Sequence, residues 1–132
     1  MIEKITKTTE HIQLMEQFPS LGLNRLNPYM LSLPLGWMKS VTEICQLLSD
    51  YKKETGNQVK VTQIKEKFGS LRFYYRAPKQ PAQLYETIEQ LCLMTEEICA
   101  YCGSKGKIKH QDGYYMMAVC DKHYIPDETD YD

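Results

Sequence analysis

Four residues near the C-terminus have the types and spacing of a metal site. Cys99-x-x-Cys102 and Cys120-x-x-His123 are separated by 17 residues in the stretch CAYCGSKGKIKHQDGYYMMAVCDKH. A two-residue spacer lets one tight turn aim both side chains at a single ion. Zn²⁺ favours a tetrahedral set of thiolate and imidazole ligands. Gly103, directly after Cys102, suits the positive φ that such a knuckle often needs. The segments KGKIKH and GYYMMAV read as two short strands that bring the pairs together, with Gly103, Gly106 and Gly113 as turn formers. The expected ligands are Cys99, Cys102, Cys120 and His123, and the expected cofactor is a structural zinc.

Catalytic zinc keeps one position open for water, whereas these four ligands close the shell. His110, with Asp112 nearby, is a further candidate for a metal-dependent nuclease. The His-x-Glu and Pro-Cys-x-x-Cys of a zinc deaminase are missing. Three thiolates on Zn²⁺ leave a net negative charge, and Lys105, Lys107, Lys109 and Lys122 lie close enough in sequence to offset it. A thioredoxin-like role for Cys99 and Cys102 lacks the βαβ surroundings. No Ser-His-Asp order, P-loop or dinucleotide fingerprint is present. Cys45 and Cys92 fall on apolar helix faces and read as packing residues. The chain is therefore expected not to be an enzyme.

A second chemistry lies in IKEKFGSLRFYYR. Lys65, Lys67, Arg72, Tyr74 and Arg76 interleave cations with rings, the composition of a surface that meets phosphates and bases. They are the candidate partner-binding residues. The simpler alternative is a solvated sheet face whose aliphatic stems cover aromatics. Residues 59 to 76 carry five cations against Glu66 alone, while Asp127, Glu128, Asp130 and Asp132 make the last eight residues acidic.

The elements that must position these groups can be read from periodicity. Residues 8 to 18 suggest a helix capped by Thr8 or Thr9, with Ile12, Met15 and Phe18 on its buried stripe and His11 solvated. Residues 19 to 34 form an ordered loop, because Leu21, Leu23, Leu26, Tyr29, Leu31 and Leu33 are too apolar to stay wet. A helix from Pro34 to about Lys53 buries Trp37, Val41, Ile44, Cys45, Leu48 and Tyr51 and stops at Gly56. Val59 and Val61 alternate with polar residues, as do Leu71, Phe73 and Tyr75, which predicts a hairpin turning at Phe68-Gly69-Ser70. Ile64 is out of phase, which places a bulge near Thr62 or Gln63. A third helix spans 81 to about 98, with Leu84, Ile88, Leu91, Cys92 and Thr95 inward.

The expected fold is α+β: helices packed on a small antiparallel sheet, with a C-terminal zinc ribbon. Residues 1–98 form the core, 99–124 a ribbon integral to the same domain, and 125–132 an acidic tail. The 132 residues suit one domain, and 42% hydrophobic residues suffice for a core. Five cysteines without a signal peptide imply a reducing, cytoplasmic setting. No apolar run approaches a membrane span. A net charge of -1 argues against a globally basic nucleic-acid binder.

LPLGWMKSVTEIC, QIKEKFGSLRFYYR, the following helix, CAYCG and CDKH together resemble a group of small bacterial and phage proteins. That group joins a Gly-Trp helix start to an Ile-Lys-Glu-Lys-Phe-Gly-x-Leu-Arg-Phe-Tyr hairpin and a Cys-x-x-Cys-Gly/Cys-x-x-His knuckle. The resemblance covers about residues 34 to 124. This chain departs in two turns, with Gly69-Ser70 for the group's Gly-Gly and Ser104-Lys105-Gly106 for its Pro-Gly. The resemblance implies the same fold and the zinc. Its bacterial and phage setting implies a role in conflict: immunity against a toxin, or inhibition of a defence or host factor. The expected function is a non-catalytic binding protein that occludes a partner protein. The alternatives are a nucleic-acid-binding regulator using the basic hairpin and a metal-dependent nuclease.

Overall fold

Why the first helix buries the face it does is clear only from what lies against it. In a computed structural model, which describes residues 9–26, 31–111 and 115–125, α1 spans Thr9–Gln17. Its inward stripe is His11 and Leu14, continued by Phe18, while Ile12 is exposed. Met15 is only partly buried. This corrects the expected stripe and the expected solvated histidine. The reason is a distant partner: His11 Nε2 donates to the Leu33 carbonyl over 3.1 Å, so a polar ring can be buried at little cost. The expected threonine cap involves side chains outside the described residues.

Pro19 ends the helix, and two 3₁₀ turns follow, Pro19–Leu21 and Leu23–Arg25, hinged at Gly22 with φ 80°. Leu21 and Leu23 are wholly buried, as their apolarity demands. Residues 27–30, including Tyr29, lie outside the described residues. The loop also contains a strand that its two-residue length concealed: β1 (Leu31–Ser32) pairs parallel with β2 (Lys60–Lys67). The sheet is therefore mixed rather than purely antiparallel.

Leu35–Trp37 form a 3₁₀ turn before α2 (Met38–Thr55). Trp37, Val41, Ile44, Cys45 and Leu48 recur at helical spacing and are all fully buried. Gly56, at φ 75°, closes the helix by returning its N–H to the Lys52 carbonyl over 2.8 Å.

β2 and β3 (Ser70–Arg76) form the hairpin, with Lys67 opposite Ser70. Its two-residue turn, Phe68-Gly69, has φ of 53° and 90°, the primed geometry whose twist matches the flanking strands. The register shifts between Val61 and Gln63, where the bulge was expected. That extra residue lets Val61 and Ile64 both face inward, where they join Leu71, Phe73 and the α2 residues in one core.

α3 (Ala82–Met94) ends earlier than expected and tightens into a 3₁₀ turn at Thr95–Glu97. Thr95 is fully buried. Its hydroxyl accepts the Leu71 N–H over 3.0 Å and donates to the Cys92 carbonyl over 2.6 Å. The hydroxyl thereby satisfies an N–H on the free edge of β3. The ribbon strands β4 (Lys107–Gln111) and β5 (Tyr115–Val119) pair antiparallel. Ala100 and Ala118 belong to the same buried cluster as the helices and the sheet. The fold is α+β, with three α-helices and two small sheets among the described residues.

Candidate metal centre and basic sheet face

The knuckle that begins at Cys99 is held by contacts to the 3₁₀ turn that precedes α2. Gly36 donates its N–H to the Ala100 carbonyl over 2.8 Å. A Cβ at Gly36 would collide with the Cys99 carbonyl and the Ala100 backbone. The Trp37 indole donates to the Ile98 carbonyl over 2.7 Å. Inside the knuckle, Gly103 returns its N–H to the Cys99 carbonyl over 2.8 Å at φ 82°. The second half closes in the same way, with the His123 N–H on the Cys120 carbonyl at 3.1 Å. The Ala100 N–H bonds to the Ala118 carbonyl over 2.8 Å and ties one half to the other.

Cys99, Cys102, Cys120 and His123 converge so that their ligand atoms all lie within 4.8 Å of one another. Cys102 and Cys120 Sγ are 3.7 Å apart, and His123 Nδ1 lies 3.7 Å from Cys99 Sγ and 3.2 Å from Cys120 Sγ. A tetrahedron with metal–sulfur bonds of about 2.3 Å and metal–nitrogen bonds of about 2.0 Å has edges of roughly 3.5–3.8 Å. The four donors therefore fit one ion, and none of the cysteines is in a disulfide. The His123 ring stacks on Tyr101, with centroids 5.4 Å apart, which fixes its orientation.

The surroundings favour the thiolate at Cys102 and Cys120. The Ser104 hydroxyl lies 3.0 Å from Cys102 Sγ and lowers that thiol's pKa. Hydrogen bonding to His123 lowers Cys120 to about 6, and the same contact raises the imidazole. Burial raises Cys99, the ligand that most needs a cation to offset its charge. Lys109, expected to help neutralise the thiolates, is engaged elsewhere: its ammonium lies 3.4 Å from Asp121 and 4.5 Å from the Tyr124 ring centre. His110 is exposed on β4 and is not part of the four-residue cluster. Asp112 lies outside the described residues. Burial pushes Cys45 up to about 12 and Cys92 to about 11, as befits packing thiols.

The other candidate residues share the sheet face turned away from α2. Lys65 stands across from Arg72, Gln63 from Tyr74, and Lys60 from Arg76. Lys67, Arg72, Tyr74 and Arg76 are exposed and Lys65 is half-buried. Glu66, the one acid of the hairpin, points elsewhere and accepts the Gly69 N–H over 2.7 Å. Among the described residues the only ion pair is Lys109–Asp121, so no carboxylate pairs with these cations. Phe68 projects from the tip at 67% exposure. Sequence reasoning missed Gly36, Ser104 and the role of Thr95. Only Gly36, set before the lone tryptophan, carried a visible signal.

No family model, curated protein or solved structure matches the chain. No helix among the described residues is long and apolar enough to cross a membrane.

Proposed function

We propose that this is a non-catalytic, zinc-stapled binding protein that takes single-stranded nucleic acid on the outer face of its hairpin sheet. One observation carries the proposal. Lys60, Lys65, Lys67, Arg72 and Arg76 share a face with Tyr74 and, among the described residues, have no carboxylate partner. Unpaired cations attract phosphates, and exposed rings stack on bases of any sequence. The net charge of -1 is no obstacle, because the cations are concentrated on one face while acids lie elsewhere. Zinc is the metal whose ligand preferences match three thiolates and one imidazole in a closed shell. With no open position, its part is to hold the ribbon, and through it the hairpin tip, where Gly69 packs on Ile108.

Fluorescence anisotropy with a labelled single strand of about 15 nucleotides tests this. Binding should weaken steeply with salt, and a Lys65→Gln, Arg72→Gln variant should lose about tenfold or more in affinity with an unchanged melt. Equal binding by the variant, or no binding at low salt, would remove the proposal.

A second function, occlusion of a partner protein in the manner of an immunity or inhibitor protein, is favoured by a separate surface. Leu93 and Met94, adjacent at the end of α3, are each at least half exposed, and neighbouring exposed apolar side chains favour protein contacts. A stoichiometric complex lost on Leu93→Glu, in a chain that ignores oligonucleotides, would select it.

A further inference from the structure

A second concentration of positive charge lies at the far end of the same sheet, in a setting unlike the open face. Arg25, Lys52 and Lys60 line one cavity of about 590 Å³ with Asn24, Ser20 and Gln58. They come from three separate places: the 3₁₀ turn before β1, the last turn of α2, and the first residue of β2. None of the lining residues is acidic, and none of the three cations has a carboxylate partner among the described residues. Lys52 is held in place, its ammonium donating to the Ser20 carbonyl over 2.8 Å. The Lys60 side chain runs beside Gly22, its Cγ 3.4 Å from where a Cβ would stand.

Three like charges converging on one cavity repel one another, and an anion between them turns that repulsion into attraction. We infer that this cavity is a phosphate-binding site. A phosphate monoester carries roughly −1.5 to −2 charges at pH 7 and three acceptor oxygens. That charge matches three cations, and Arg25 can meet two of the oxygens at once. Asn24, Gln58 and Ser20 add neutral donors at the rim. The volume leaves space for part of the group that the phosphate esterifies.

Two sources share this chemistry: the terminal phosphate of a nucleic-acid strand, and a free phosphate compound. Lys60 belongs to the cavity and also stands opposite Arg76 on the basic face. A strand lying along the hairpin would therefore end at this cavity. The site itself stands on its own geometry. Only its use by a strand end rests on the function proposed above.

The test is calorimetric titration of the metal-loaded full chain at low ionic strength with inorganic phosphate, and with one oligonucleotide bearing either a 5′-phosphate or a 5′-hydroxyl. Arg25→Gln and Lys52→Gln should each weaken phosphate binding by about tenfold, while Lys39→Gln, exposed on α2 and outside the cavity, should leave it unchanged. Arg25 is exposed, and among the described residues its side chain makes no hydrogen bond or ion pair, so its replacement does not threaten the fold. A gain of about tenfold for the phosphorylated strand, lost in Arg25→Gln, supports the site and assigns it to strand ends. Equal binding of both strands, with inorganic phosphate still bound, supports the site and assigns it to a free phosphate compound. Phosphate binding without any oligonucleotide binding also supports it, and sinks only the sheet-face function. If neither inorganic phosphate nor the phosphorylated end binds the native chain better than it binds Arg25→Gln, the inference is overturned.

Discussion

The Trp37 indole donates to the carbonyl of Ile98, one residue before Cys99, the first residue of the Cys/His cluster, over 2.7 Å. The chain's single tryptophan, fully buried, thus joins the core to the knuckle. Trp37→Phe keeps much of the packing but leaves that carbonyl without its partner. The expected cost is about 1–3 kcal/mol, read by denaturant unfolding, with weaker metal retention against a chromophoric chelator. Gly36→Ala should be more severe, because backbone cannot yield to its Cβ. Stripping the metal should also change the Trp37 emission of the native chain.

Thr95 offers a contrast. Thr95→Val keeps the shape and removes both hydroxyl bonds, leaving the Leu71 N–H and the Cys92 carbonyl with one partner fewer. A loss of about 1–3 kcal/mol is expected. Metal content should stay unchanged, because the cluster itself does not use this hydroxyl. Melting curves paired with elemental analysis check both halves.

Phe68 separates stability from binding. A phenylalanine at φ 53° occupies the left-handed region that disfavours side chains with a Cβ, and its ring is two-thirds exposed. Asparagine tolerates that conformation, so Phe68→Asn should stabilise the chain by up to about 1 kcal/mol. The same change removes a stacking ring beside the cations and should weaken oligonucleotide binding by about tenfold. A variant both more stable and fully active in binding would show that the ring has no part in recognition.

Periodicity made the α2 face, the hairpin and its bulge readable, because each depends on residues adjacent or a few positions apart. The four residues of the Cys/His cluster were readable for the same reason. The parts that escaped depend on long-range partners. His11 is buried because Leu33 offers a carbonyl. α3 shortens because Thr95 turns toward Leu71. β1 is two residues long and exists only through its pairing with Ile64 and Lys65. The anion cavity joins three segments that no local pattern connects.

The centre should respond to acid in a defined direction. In the metal-free chain, the Cys120 thiol is lowered to about 6, so its contribution to stability is lost as pH falls through that value. His123 is raised by the same contact, so its contribution is lost as pH rises through its raised value. The pair therefore supports the metal-free fold only between those limits, and a melt series across pH should show a maximum there. In the loaded chain, protons compete with the metal for the thiolates, so acidification should release the metal.

Native mass spectrometry of the chain as purified, followed by chelation and thiol alkylation, tests the zinc staple most directly. The staple predicts one zinc per chain, slow alkylation while it is bound, and loss of the ribbon fold with rapid labelling of Cys99, Cys102 and Cys120 once it is removed. Cys45 should be the last thiol to react, since burial holds it at about 12. A metal-free chain that stays folded, with those three thiols freely labelled, would contradict it.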